Sequence, residues 1–142
     1  MAYDKNVSPV GWYYGSFLLR FVELEDCEEC ERNDPERRFH TWENTVIVKA
    51  NSLDAAYDKV EQIGKLETEP YRNSLSPPKL VQWEYLGVTN LIPIYEELAD
   101  GAEIAWASHP HRKLKTLRRW VKPKASFLEG ETSPKLLPNK DR

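Results

Sequence analysis

A single segment of the chain, from Ser52 to about Lys65, has the hydrophobic spacing of an amphipathic helix. Apolar side chains recur there at intervals of three and four residues, at Leu53, Ala56, Tyr57, Val60 and Ile63. The Ser52 hydroxyl can cap its first turn, and Gly64 lies near its predicted end. A helix of about fourteen residues is about 21 Å long and about 10 Å wide, so it covers only one face of a sheet. Any sheet in this chain therefore needs a second cover.

Five other segments have the residue types of β-strands. They are Gly11 to Glu23, Phe39 to Ala50, Leu80 to Leu86, Leu91 to Tyr95 and Ala102 to Ala107. The first two are expected to form a hairpin around an acidic loop. Gly87 allows a break or a bulge between the third and fourth strands, and Asp100 with Gly101 predicts a hairpin turn before the fifth.

The first strand has two unlike faces. Its odd-numbered positions carry the larger apolar set and predict the core side, with Tyr13, Phe17, Leu19 and Phe21. Its even-numbered positions mix apolar and polar residues, with Trp12, Tyr14, Ser16, Leu18 and Arg20. The mixed face is therefore the one that the helix would leave uncovered.

The order β-β-α-β-β-β predicts an α+β fold with a mainly antiparallel sheet of about five strands, one principal helix and a basic C-terminal segment. With 142 residues, 40% hydrophobic and 30% charged, the chain suits one soluble domain. We expect this domain to span 1–124 and to end in the basic segment 112–124. Residues 125–142 are rich in Pro, Ser, Lys and Glu, and we expect them to be weakly ordered.

Charge is divided between two blocks. Residues 1–111 hold 20 acidic and 10 basic side chains, a net −10, whereas residues 112–142 hold 3 acidic and 10 basic ones, a net +7. The acidic extreme is a predicted loop from Glu23 to Glu36, and the basic extreme runs from Arg112 to Lys124. If the basic extreme is helical, Leu114, Leu117 and Val121 form an apolar stripe on it.

Two covers are available for the mixed sheet face. It can meet its own copy in a two-fold dimer, or the tail can fold back with Leu114, Leu117, Trp120 and Val121. We favour the dimer. The residues of the predicted interaction surface are Trp12, Tyr14, Leu18, Arg20, Arg112, Lys115, Arg118, Arg119 and Trp120.

Two cysteines and three histidines are the only candidates for metal or base chemistry beyond the carboxylates. Cys27 and Cys30 have half the spacing of a structural zinc site, and His109 with His111 could supply the other ligands. One such pair is a weak signal, and we interpret it as two thiols in an acidic loop. We therefore assign no metal and no cofactor, and keep a zinc-binding domain as an alternative.

Motifs of catalysis and targeting are missing from the sequence. It contains no Gly-x-Ser-x-Gly, no His-Glu-x-x-His, no phosphate loop and no dinucleotide fingerprint. No run of eighteen apolar residues occurs, and the start lacks the pattern of a signal peptide. We expect a cytoplasmic protein that does not span a membrane, and we favour a non-enzymatic role without a catalytic residue.

The leading hypothesis is a protein-interaction or homodimerising module. The main alternative is nucleic-acid binding through the basic segment, whose seven cations surround Trp120 and could contact phosphates and stack a base. The net −10 of the preceding residues opposes that alternative, because it repels a phosphate backbone.

Three stretches carry a family resemblance, namely 12–21, 42–57 and 82–104. The most distinctive parts read Trp-Glu-Tyr-Leu-Gly-Val from Trp83 and Leu-Ile-Pro-Ile-Tyr-Glu-Glu-Leu from Leu91. From about Gly11 to Trp120 the chain resembles a family of small bacterial proteins catalogued as domain of unknown function 4288. The resemblance implies a compact bacterial α+β domain and no established activity, ligand or catalytic residue. The loop from Cys27 to Arg38 and the tail after Trp120 are expected to lie outside the shared part.

Overall fold

The computed structural model describes residues 4–128, and its strands form one antiparallel sheet in the order β2-β1-β4-β3. In chain order the elements are β1 (Trp12–Glu23), α1 (Glu29–Arg32), β2 (Thr41–Lys49), α2 (Leu53–Gly64), β3 (Tyr71–Arg72), β4 (Leu80–Pro93), α3 (Leu114–Trp120) and α4 (Lys124–Phe127). The α+β class, the first hairpin and the principal helix α2 are therefore as predicted.

The predicted strands Leu80 to Leu86 and Leu91 to Tyr95 form one continuous strand, Leu80–Pro93, so of the two alternatives at Gly87 the break is wrong and an irregularity of the bulge type lies next to it. The pairing of this strand with β1 shifts register twice, and Leu86 and Thr89 are the extra residues on β4 at these irregularities. A β-bulge absorbs an extra residue while the ladder continues on both sides, so a glycine next to it need not end the strand. Pro93, whose ring cannot donate to a ladder, is the last residue of β4.

The predicted fifth strand, Ala102 to Ala107, is wrong as well. Asp100 and Gly101 do form a turn, in which the Ala102 amide donates to the Ala99 carbonyl at 3.0 Å. Residues 102–107, which follow that turn, have no strand structure. A turn signal is local, whereas a strand needs a partner edge, and the segment's large side chains, Ile104 and Trp106, remain exposed. The sheet instead contains a short strand that we did not predict, β3, which pairs with the start of β4.

Helix α2 packs on the sheet face that carries the predicted core. The Ser52 hydroxyl accepts a hydrogen bond from the Ala55 amide at 3.1 Å, which caps the first turn as predicted. Ala56 and Val60 are fully buried. So are Tyr13 and Phe17 on the odd-numbered face of β1, which confirms that this face is the core side.

Two glycines let the helix approach the sheet closely. A Cβ placed on Gly15 would lie 2.5 Å from Cγ2 of Val60, and one placed on Gly64 would lie 2.5 Å from Cε1 of Tyr85. Neither position has room for even a methyl group without movement of its neighbour. The contact between α2 and the sheet is therefore set by backbone rather than by side-chain length.

The opposite side of the sheet, which we call the open face, carries the even-numbered residues of β1. Trp12, Tyr14 and Leu18 are only partly buried there, and Ile47, which pairs with Tyr14, is 41% exposed. The open face is therefore less covered than the helix side along most of its length.

Residues 102–128, which we call the arm, run on after the sheet. The basic segment contains the helix α3, as its apolar spacing allows, but Leu114, Leu117 and Val121 are exposed. Within the described residues, the tail therefore does not bury its apolar stripe on the open face. Residues 129–142 of the expected weakly ordered tail lie outside the described part, and the domain boundary at 124 stays a prediction.

Replacing Gly15 by alanine tests the close approach. We expect Gly15→Ala to lower the free energy of unfolding by about 1–3 kcal/mol, because the new methyl group overpacks against Val60. Denaturant-induced unfolding measures this change in the free energy of unfolding. The double variant Gly15→Ala/Val60→Ala should be less destabilised than the sum of the two single variants, because the smaller side chain makes room. Simple additivity would contradict the close contact.

Candidate interaction site

Arg20 joins the acidic loop to the open face. Its Nε donates to Glu84 Oε1 at 2.8 Å and its Nη1 to the Arg32 carbonyl at 2.7 Å. Its guanidinium carbon also lies 4.6 Å from the centre of the Phe39 ring. A planar guanidinium suits these three contacts at once, since its donors lie in one plane and its face stacks on an aromatic ring. Arg20 was predicted as a contact residue of the interaction surface. In the structure, its three contacts instead anchor the acidic loop to the sheet.

Further contacts fix the acidic loop elsewhere. The structure forms one helical turn, α1, inside the predicted loop, and Arg32 Nη1 donates to the Cys27 carbonyl at 2.9 Å. Exposed ion pairs tie Arg72 to Glu25 at 2.7 Å and Lys79 to Asp26 at 3.0 Å. The hydrogen bond and the charge of Lys79 lower the pKa of Asp26. Some of the loop's carboxylates therefore have partners close to the sheet.

A pocket of about 410 Å³ opens between the acidic loop and the open face. We call it the loop pocket. Its principal lining residues are Arg20, Arg32, Arg37, Phe39, Thr41 and Leu86. The predicted acidic loop, with Arg32 as its one cation, gave no indication of this pocket. The available signal was the arginines and the phenylalanine that follow its acidic part.

The structure does not bring the predicted zinc ligands together. Cys27 is buried, Cys30 is exposed, and the His109 ring lies edge-on to Trp120 at 5.0 Å. In the described part of the chain, no group of three or more His, Cys, Asp or Glu side chains is placed to hold a metal ion. The zinc alternative therefore has no ligand set among residues 4–128.

The cations of the arm surround one tryptophan. The Arg112 guanidinium carbon lies 6.0 Å from the centre of the Trp120 ring, while His109 contacts another part of it. Between positions 4 and 128, no acidic side chain forms an ion pair with any cation from Arg112 to Lys124. Lys115, Arg118 and Arg119 are exposed. This part of the predicted surface is thus open to solvent and positively charged.

The other predicted contact residues lie along the open face. Trp12 lies at one end of the open face, and Tyr14 is two residues further along β1. The Lys49 ammonium lies 5.9 Å from the Trp12 ring centre. Beside them the Ser16 and Thr45 hydroxyls share a hydrogen bond of 2.8 Å across the strands. Leu18 lies further along the same strand face. The structure thus separates the predicted surface into an open-face part and an arm part.

Comparison with known proteins identifies the family. The sequence model of a protein family described as a domain of unknown function, DUF4288, matches residues 12–106 of the chain. The chain belongs to the DUF4288 family. The match begins at β1 and ends at Trp106, short of the predicted limit at Trp120, so it leaves out the basic part of the arm. No curated protein and no solved structure matches the chain.

No helix between positions 4 and 128 of this DUF4288 protein is long and apolar enough to cross a membrane.

The helix side of its sheet holds polar atoms that are buried without a partner. They are Asn44 Nδ2, Trp83 Nε1 and the Tyr85 hydroxyl. Burial, together with the nearby Glu61 and Tyr57, raises the pKa of Tyr85 above its ordinary value of 10.0. These atoms lie under or beside α2, away from both parts of the predicted surface.

Tyr85→Phe tests the unpartnered hydroxyl. Removing it costs no hydrogen bond, so the free energy of unfolding at neutral pH should be unchanged within about 0.5 kcal/mol or should rise. Because the pKa is raised in the folded state, the protein loses stability as the pH rises above 10.0. This alkaline loss should be smaller in Tyr85→Phe, whereas Tyr14→Phe, on the open face and outside the surroundings of Tyr85, should retain it. Chemical unfolding across the alkaline range measures both, and equal losses in the two variants would contradict the assignment.

Proposed function

We propose that this DUF4288 protein is a non-enzymatic interaction module that forms a homodimer through its open face. The observation that carries the proposal is the uneven cover of the sheet. Helix α2 covers one side at backbone contact, while the opposite side keeps Trp12 and Tyr14 partly exposed and Ile47 at 41% exposure. An apolar sheet face of this kind gains free energy when a second surface excludes water from it.

The size of the open face favours a contribution from the arm. Its three long strands, β2, β1 and β4, taken over the nine residues of β2, give a flat area of about 400 Å² from a strand spacing of about 4.8 Å and a rise of about 3.3 Å. Stable interfaces bury about 800 Å² on each partner. The arm carries the additional apolar surface, including Trp106 at 58% and Leu114 at 59% exposure. We infer that the arm of each copy extends the interface.

Charge supports the same arrangement. The net −10 of residues 1–111 and the net +7 of residues 112–142 attract when the arm of one copy meets the domain of another. We further propose that the protein acts in the bacterial cytoplasm, where its two cysteines, which are free in the structure, would stay reduced.

Ile47→Glu tests the dimer. We expect the unchanged protein to elute as a dimer and Ile47→Glu to elute as a monomer, because a two-fold contact would bring two buried carboxylates together. Light scattering coupled to size exclusion measures the mass. Tyr57→Glu is the matched control, since Tyr57 is also 41% exposed but lies on α2. A monomeric parent protein at high micromolar concentration, or equal effects of both substitutions, would refute the proposal.

The exposed cations of the arm, which form no ion pair with any residue between positions 4 and 128, favour nucleic-acid binding as a second candidate function. In fluorescence anisotropy with a single-stranded oligonucleotide, Arg118→Gln/Arg119→Gln should weaken binding and reduce the salt slope by about 1.4, since each cation contributes about 0.7. The pair Lys59→Gln/Lys65→Gln on α2 removes the same charge elsewhere. No binding by the parent protein in about 50 mM salt, or equal loss in both double variants, would exclude this function.

A further inference from the structure

The loop pocket has the geometry of a ligand site. Its floor is the open face at Arg20, Thr41 and Leu86. Its wall runs from Arg32 to Phe39, which is the end of the acidic loop and the residues that follow it. A volume of about 410 Å³ falls within the range of small-molecule sites, about 300–1,000 Å³. The anchor made by Arg20 holds wall and floor together, so the pocket is formed before any ligand arrives.

The arginines of the pocket differ in how far their charge is compensated. Arg20 forms an ion pair with Glu84, and Arg37 forms one with Glu31. Arg32 donates to the Cys27 carbonyl and, within the described residues, forms no ion pair. A guanidinium has five N–H donors, so this contact leaves Arg32 the capacity to bind an anion.

The remaining lining selects among anions. Asp34 also lines the pocket, and its carboxylate repels a dianion more strongly than a monoanion. The Phe39 ring has the Arg20 guanidinium at 4.6 Å and the Arg37 guanidinium at 5.6 Å. Half-exposed Leu86 adds an apolar surface. One charge with an apolar or aromatic body therefore fits better than a compact phosphate.

We propose that the loop pocket binds a small organic carboxylate, whose oxygens accept hydrogen bonds from Arg32 and whose apolar body lies against Phe39 and Leu86. We take the occupant to be a free small molecule, since a volume of about 410 Å³ matches a body of that size. The pocket lies at the Arg20 end of the open face, away from the Tyr14 and Ile47 end at which the dimer is tested, and this proposal does not depend on the dimer.

Titration of the full chain with benzoate and benzamide tests the charge requirement, because these probes have the same shape and differ in charge. We expect benzoate to shift the backbone amide resonances of residues 32–41 in a saturable way. Benzamide should bind at least about tenfold more weakly, since it loses the charge-assisted hydrogen bond. Inorganic phosphate should bind more weakly than benzoate. Equal binding of benzoate and benzamide, or tighter binding of phosphate, would overturn the proposal.

Three variants locate the site. Arg32→Gln should weaken benzoate binding about tenfold, whereas Arg38→Gln, the same substitution at a loop residue that does not line the pocket, should leave it unchanged. Leu86→Trp should abolish binding by filling the pocket, and the fold should tolerate it because Leu86 is 50% exposed. Retained binding in Leu86→Trp, or equal loss in the two arginine variants, would place the anion elsewhere and refute the site.

A short peptide with a free C-terminal phenylalanine distinguishes the source of the carboxylate. If the peptide shifts the same resonances and benzoate does not, the pocket takes the C terminus of a protein and the small-molecule proposal is wrong. If benzoate binds and the peptide does not, the proposal holds.

Discussion

The close contact between α2 and the sheet organises this fold. Gly15 and Gly64 remove the side chains that would keep the two layers apart, so Val60 and Tyr85 lie directly against backbone. The helix ends at Gly64, and the sheet beyond it is filled by aromatic residues. The Phe21 and Trp83 rings lie 5.2 Å apart, and His40 is 6.1 Å from Trp83. One short helix thus closes one side of the sheet only because large rings complete its core.

This arrangement leaves the open face to the loop and to solvent. At the Arg20 end, the acidic loop lies over the sheet and encloses a pocket, since one guanidinium connects Glu84, the Arg32 carbonyl and the Phe39 ring. Toward Tyr14 and Ile47 the sheet remains more accessible. The two ends of one face therefore offer different chemistry, with arginine and carbonyl groups at one end and aromatic and aliphatic groups at the other.

Patterns among residues close in sequence predicted much of the fold. Features that depend on contacts between distant residues were not predicted. The spacing from Leu53 to Ile63 fixed the helix, and the alternation in the first strand fixed the core side, because both depend on neighbours in sequence. The continuity of β4 through Gly87 depends on its pairing with β1, which no local pattern reveals. The loop pocket was missed for the same reason. Arg20 and Arg32 meet through an anchor that their separation in sequence does not indicate.

The distribution of ion pairs explains why the arm stays apart from its own domain. The most obvious internal partner for its cations is the acidic loop, yet Glu25, Glu31 and Asp26 already pair with nearby arginine and lysine side chains. Exposed charges more than about 8–10 Å apart interact little in physiological salt, so the opposite net charges of arm and domain attract only where the two surfaces come into contact. The arm's cations also repel one another, which favours an extended segment. The arm therefore presents its cations together with the exposed Trp106 and Trp120 to solvent.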